Sequence, residues 1–152
     1  GWAYQYTTMT QLPEAGWTVM GMNPTLADMK LGTARKSKSW SDMLLAYGEH
    51  RCLLVTLQDQ HEDGYNLAML EAMMMGCPIV TMPNSTSPIE GGSNGLVGAT
   101  SWELAEHIQS LMEDWELALH LGDKGTATVL DNFSISHCIN SWSKVMEDAA
   151  NV

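Results

Sequence analysis

Positive charge is scarce in this chain: 7 Lys and Arg stand against 18 Asp and Glu, a formal net charge of −11. Nucleic-acid binders neutralise phosphates with basic patches, so this balance argues against nucleic acid as a partner. Four of the seven basic residues, Lys30, Arg35, Lys36 and Lys38, sit close together and read as a solvated loop before they read as an anion site. Cysteine is scarce as well. Cys52, Cys77 and Cys138 make an odd count, and the first two lie in apolar runs where a free thiol packs as a small hydrophobe. That usage fits a reducing compartment, and the expected location is cytoplasmic. Long apolar runs are absent. Leu67–Met75 and Cys77–Met82 stop well short of the roughly 18 residues a membrane span requires, so no transmembrane helix is expected. The opening Gly1-Trp2-Ala3-Tyr4 shows no basic n-region or apolar h-region, so no export signal is expected. The five histidines show no close ligand spacing with the cysteines, and no metal is expected.

What is present points to one domain. A chain of 152 residues with 45% hydrophobic composition is long enough for one buried core and short for two. Residues 18–22 read as a short buried strand ended by Asn23-Pro24, and residues 25–38 read as a polar loop. Ser39 with Asp42 is a capping-box pattern that starts a short helix ending at Gly48. The apolar runs Cys52–Leu57 and Pro78–Met82 read as strands, with a helix from about Asn66 to Met75 between them. Strand, helix, strand at this spacing is a βαβ unit, and its crossover makes the strands parallel. Neither run alternates with polar residues, as expected where helices cover both faces of the sheet. Thr100 with Glu103 opens another helix, a shorter one covers Trp115–Leu121 and ends at Gly122, and a last one carries Ile135, Cys138, Ile139, Trp142, Val145 and Met146 on one stripe. The fold class is α/β: a three-layer α/β/α, Rossmann-like domain with a parallel sheet.

The segment richest in chemistry is His61–Val80, HEDGYNLAMLEAMMMGCPIV. It sets Asp63 and Glu71 on either side of a loop, Gly64-Tyr65-Asn66, and a helix start. Gly64 permits backbone geometry closed to other residues, and the first-turn amides near Asn66 and Leu67 can donate to an anion such as phosphate. Glu71 follows about five residues into the helix, roughly 7–8 Å along its axis at 1.5 Å per residue. A sugar attached to a phosphate held at the helix end would bring its hydroxyls to that carboxylate. The plain alternative for Asp63 is an N-cap or first-turn acid favoured by the helix dipole. Glu71 is the one charged side chain between Leu67 and Met75, and a carboxylate so placed needs a partner.

These residues resemble the retaining glycosyltransferases of group 1, or family 4, with a GT-B fold. Their pattern, E-G-F-G-L-x-x-L-E-A-M-A-x-G-x-P-V-V, is matched here by D-G-Y-N-L-A-M-L-E-A-M-M-M-G-C-P-I-V from Asp63 to Val80. The likeness extends to Ser87–Gly95, which stands where relatives have a D-G-x-N-G-like turn, and to Phe133-Ser134 before the last helix. It implies that residues 1–152 are the C-terminal, donor-binding half of a GT-B enzyme, shortened on its N-terminal side. It further implies that the chain binds a nucleotide diphosphate sugar, a UDP- or GDP-hexose, and needs no further cofactor. Asp63 would lie near the transferred hexose, Gly64, Tyr65, Asn66 and Leu67 would touch the sugar and phosphates, and Glu71 would hold the ribose hydroxyls. An N-terminal acceptor domain would be the partner, packed against the last helix; without it the chain would expose an apolar patch, self-associate and turn over slowly or not at all. Asp63 stands where the pattern has Glu, and Asn66 where Gly is common. The G-R…K-G pair with which relatives hold the diphosphate has no counterpart in residues 1–24. The competing reading is a non-catalytic Rossmann-like module or inactive fragment that has lost those cations. Asn84-Ser85-Thr86 fits a glycosylation acceptor but reads most simply as a polar loop, and Met73–Met75 read as core filling.

Overall fold

The computed structural model describes residues 2–20, 32–57 and 66–150. In chain order these form α1 (Trp2–Gln11), a 3-10 turn at Pro13–Ala15, β1 (Trp17–Met20), β2 (Gly32–Arg35), α2 (Trp40–Glu49), β3 (Leu53–Val55), α3 (Leu67–Met74), β4 (Ile79–Thr81), β5 (Leu96–Val97), α4 (Ser101–Glu113), α5 (Trp115–Phe133) and α6 (Ile135–Ala150). All strand pairs are parallel, in two groups ordered β1-β2 and β3-β4-β5.

The apolar runs at β3 and β4 become strands because helices cover both faces. Along β3, Leu54 packs with Val80, Leu104, Ile108 and Leu111, while Leu53 and Val55 pack on the other side with Met69, Ala72 and Met73. Every residue of β4 is buried. Two cores separated by one sheet make the three-layer α/β/α arrangement expected of the sequence.

Helix starts follow local chemistry. Ser39 Oγ accepts from the Asp42 amide at 3.1 Å, and Thr100 Oγ1 accepts from Glu103 at 3.2 Å, with Glu103 Oε2 returning to the Ala99 amide at 2.6 Å. Asp42 also accepts from Arg35 Nη1 and from the Lys38 amide, at 2.7 and 2.9 Å. The Lys38 amide first, then the Arg35 guanidinium, hold the Asp42 carboxyl below its ordinary range. Within the basic cluster, then, Arg35 ties β2 to α2; Lys30 lies outside the described residues.

The described part of the expected first strand is residues 17–20, and Gly21 and Met22 lie outside the described residues. Three expectations change. Residues 32–35 of the expected loop are a strand, because β1 offers Gly-Thr-Ala-Arg a parallel edge. The expected short helix after Trp115 runs on to Phe133, since the buried Gly122 and Gly125 sit inside a helix packed on α3. Of Met73–Met75, Met73 alone is core; Met74 and Met75 are exposed.

α3 ends in a Schellman turn. Gly76 adopts φ +71°, the Cys77 amide bonds to the Ala72 carbonyl at 3.0 Å and the Gly76 amide to Met73 at 3.0 Å. Helix α5 then closes on this turn. A Cβ on Gly122 would stand 2.2 Å from the Gly76 carbonyl oxygen, and Thr126 Oγ1 donates to the Met73 carbonyl at 2.8 Å. The stripe on α6 is exposed along its length, with Ile135 at 80% and Trp142 at 65%. Among the described residues no helix is long and apolar enough to cross a membrane.

Gly122→Ala should cost about 1–3 kcal/mol of stability through overpacking, read by urea unfolding; an unchanged midpoint would refute the close approach. Thiol reactivity offers a second check. Burial pushes Cys52 and Cys77 up to about 12, so in the native chain Ellman's reagent at pH 8 should label the exposed Cys138 alone, and all three cysteines in urea.

Candidate functional site

The βαβ crossover puts the amino end of α3 at the carboxyl edge of β3 and β4, the edge where open α/β sheets bind ligands. Asn66 is the N-cap: its Oδ1 accepts from the Met69 amide at 3.2 Å, and its carbonyl accepts from Leu70 at 3.1 Å. These bonds leave the Leu67 and Ala68 amides of the first turn directed beyond the helix end. Both residues are exposed, Leu67 at 71%. Asn66 adopts an extended φ of −71°, open to any residue, so its place where relatives carry Gly creates no strain.

Glu71 is half-buried, and its partner is Trp40 at the start of α2, whose Nε1 donates to Oε1 at 3.1 Å. Trp40 itself is 66% exposed. Among the described residues this pair leaves Glu71 Oε2 and the remaining lone pairs of Oε1 for further donors. The negative charge reaches inward too: burial first, then Glu71, raises the Tyr47 hydroxyl above its ordinary range. Sequence reasoning missed Trp40, since nothing in the pattern links two residues 31 apart.

The loop after β4 forms the neighbouring wall. Asn84 Oδ1 accepts from the Thr86 amide and hydroxyl at 2.9 and 2.8 Å, so the would-be glycosylation triplet is folded into an Asx turn. Ser87 reaches Met69 Sδ on α3 at 3.8 Å. Farther along, the buried Asn94 accepts from the Glu90 amide at 2.7 Å and donates to the Pro88 carbonyl and to Thr128 of α5, both at 3.0 Å. The D-G-x-N-G-like turn is thereby pinned to α5. Between α3, β3 and this loop lies a crevice of about 10 Å³, the scale of one water.

Of the expected site residues, the structure brings Asn66, Leu67 and Glu71 together on α3. Asp63, Gly64 and Tyr65 lie outside the described residues, as do His61 and Glu62. Among the described residues no group of three or more His, Cys, Asp or Glu is placed to hold a metal ion.

Comparison with known proteins gives this geometry a family. The profile described as "Glycosyl transferases group 1" matches residues 18–114. No curated protein matches the chain. Among solved structures, Staphylococcus aureus TarM, crystallised with fondaparinux, α-GlcNAc-glycerol and UDP, superposes with a TM-score of 0.72 at 15% identity, over 93% of this chain and 31% of TarM. Anabaena HepE, solved with UDP-glucose, gives 0.71 at 15% identity, over 95% of this chain and 45% of HepE. The C-terminal domain of a group 1 family protein, LpcC from Francisella tularensis, gives 0.66 at 18% identity, over 89% of this chain and 80% of that domain. The chain thus spans about a third of TarM and under half of HepE.

The cap that sets the start of α3 can be tested directly. Asn66→Ala should destabilise the chain by about 1 kcal/mol and Asn66→Asp by much less, as measured by urea unfolding; equal losses would show that side-chain capping is not what fixes this end.

Proposed function

Because the chain belongs to the glycosyl transferases of group 1, we propose that it is the donor-binding, C-terminal half of a GT-B enzyme, which transfers a hexose from a nucleotide diphosphate sugar with retention. The observation that carries this reading is the placement of Glu71. A half-buried carboxylate, steadied by Trp40, stands on the helix whose first-turn amides open at the carboxyl edge of the sheet.

A ribose diol suits such a group: two vicinal hydroxyls can donate to one carboxylate, and Trp40 leaves acceptor sites for both. The diphosphate then lies toward the Leu67 and Ala68 amides, where the helix dipole favours negative charge. Asp63 is assigned to the neighbourhood of the hexose, with Gly64 and Tyr65 lining the approach. Departure of the nucleoside diphosphate requires cationic stabilisation. Arg35 is committed to Asp42, so that charge is assigned to groups outside the described part of the site. The acceptor half is assigned to a separate N-terminal domain, and this chain alone is expected to turn over slowly or not at all. TarM and HepE, solved with UDP and UDP-glucose, make uridine nucleotides the first ligands to try.

Saturation-transfer NMR of the chain with UDP, UDP-glucose, GDP-mannose and ADP-glucose tests the assignment. Transfer to the ribose protons of one nucleotide is expected, lost in Glu71→Ala at unchanged far-UV circular dichroism and weakened in Trp40→Phe. Ribose transfer that survives Glu71→Ala at full strength sinks the proposed role.

A further inference from the structure

The loop after β4 has a second face. Thr86, Ser87 and Pro88 line the crevice beside Asn66 and also a groove of about 680 Å³ between this loop, the second half of α5 and the start of α6. That volume falls within the roughly 300–1,000 Å³ of small-ligand sites.

One buried side chain sets the width of the groove. Asn94, 5% exposed, accepts from the Glu90 amide and donates to the Pro88 carbonyl and to Thr128 Oγ1, so loop and helix hold a fixed separation. Lys124, Ala127, Thr128 and Asp131 recur at three- and four-residue spacing along one face of α5 and form the helical wall. Glu90 and Ser93 come from the loop, and Phe133 and His137 from the junction of α5 with α6. Such a frame needs little ordering when a ligand arrives.

The hydrogen-bonding groups on these walls are uncommitted. Among the described residues the Glu90 and Asp131 carboxylates, the Lys124 ammonium, the Ser93 hydroxyl and the His137 ring have no partner. Asn132 Nδ2 donates to the Thr128 carbonyl, and its Oδ1 remains free.

Their balance selects the ligand. Two carboxylates against one ammonium repel a phosphate, a nucleic acid or an acidic glycan. The apolar lining amounts to Pro88, Ala127 and Phe133, too little to seat a lipid chain or the anchor side chains of a protein partner. A neutral saccharide is complementary. Its hydroxyls can donate to the carboxylates and to Asn132 Oδ1 and accept from Lys124 and Ser93, and its C–H face can rest on Phe133. We propose that the groove binds a neutral saccharide, the stretch of the acceptor beyond the hydroxyl that receives the hexose. The site stands on the groove alone; its assignment to an acceptor rests on the transferase reading, since the shared loop sets the groove beside the place assigned to the donor.

Amide chemical-shift mapping of the 152-residue chain with maltotriose, cellotriose and triacetylchitotriose tests it, with trigalacturonate as the acidic comparison. At least one neutral trisaccharide should shift the amides of Ser93, Lys124, Asp131 and Asn132 in a saturable way. Its affinity should fall about 10-fold or more in Asp131→Ala and in Glu90→Ala. The shifts should vanish when Ala127→Trp fills the groove, with the rest of the spectrum unchanged. Ribose transfer from the nucleotide should persist in Ala127→Trp, which separates this site from the donor site. Saccharide shifts in a chain that gives no ribose transfer would refute the acceptor assignment while supporting the saccharide site. No saturable shift from any neutral trisaccharide, shifts that survive Ala127→Trp, or trigalacturonate binding as tightly as the neutral sugars would overturn the proposal.

Discussion

The approach of Gly122 to the carbonyl of Gly76 governs where the chemistry-bearing helix lies. Gly76 can close α3 in the left-handed region because it has no side chain, and Gly122 lets the α5 backbone sit on that turn for the same reason. Thr126 then adds a second bond to the Met73 carbonyl, which already accepts from the Gly76 amide in the closing turn. With its carboxyl end clamped between sheet and α5, α3 has little freedom to slide, so the positions of Asn66 at its amino end and of Glu71 in its middle follow. The same α5 holds the loop after β4 through Thr128 and Asn94. One helix therefore sets both walls of the candidate site.

What was legible in the sequence was what local chemistry decides. The two capping boxes and the βαβ unit rest on patterns a few residues long, and each appears where those patterns place it. The elements that escaped depend on distant partners. α1 carries a Thr-Thr-Met-Thr run of poor helix formers; its hydroxyls bond back to the backbone, Thr8 to Tyr4 at 2.8 Å, and packing of Met9 and Leu12 supports it. β2 is too small and polar to announce itself without the edge of β1. Gly122 looked like a helix end because a glycine's cost in a helix is visible in sequence, while the close packing that offsets it is not. In the candidate site, Asn66 and Glu71 were legible from the motif, whereas the bond from Trp40 joins segments that only the tertiary fold brings together.

An acidic domain proposed to bind a diphosphate must answer for its charge. At roughly 8 Å the repulsion between Glu71 and a phosphate charge is about 0.5 kcal/mol in water, and a helix amino end returns about 0.3–1 kcal/mol. The two nearly cancel. The local geometry is therefore compatible with a carboxylate on the ribose and a phosphate at the helix end, whatever the net charge of −11, since charges beyond about 8–10 Å are screened at physiological salt. What this balance leaves out is the charge of the leaving group as the glycosidic bond breaks, and amides alone are a weak answer to it.

The gap between the two groups of strands bears on where a ligand would enter. Ligands of doubly wound sheets sit at the carboxyl edge where strand order reverses, because the connections leave the two sides of that point in opposite directions and open a crevice. In this chain the reversal falls between β1 and β3, on either side of that gap. The amino end of α3 borders the crevice from the β3 side.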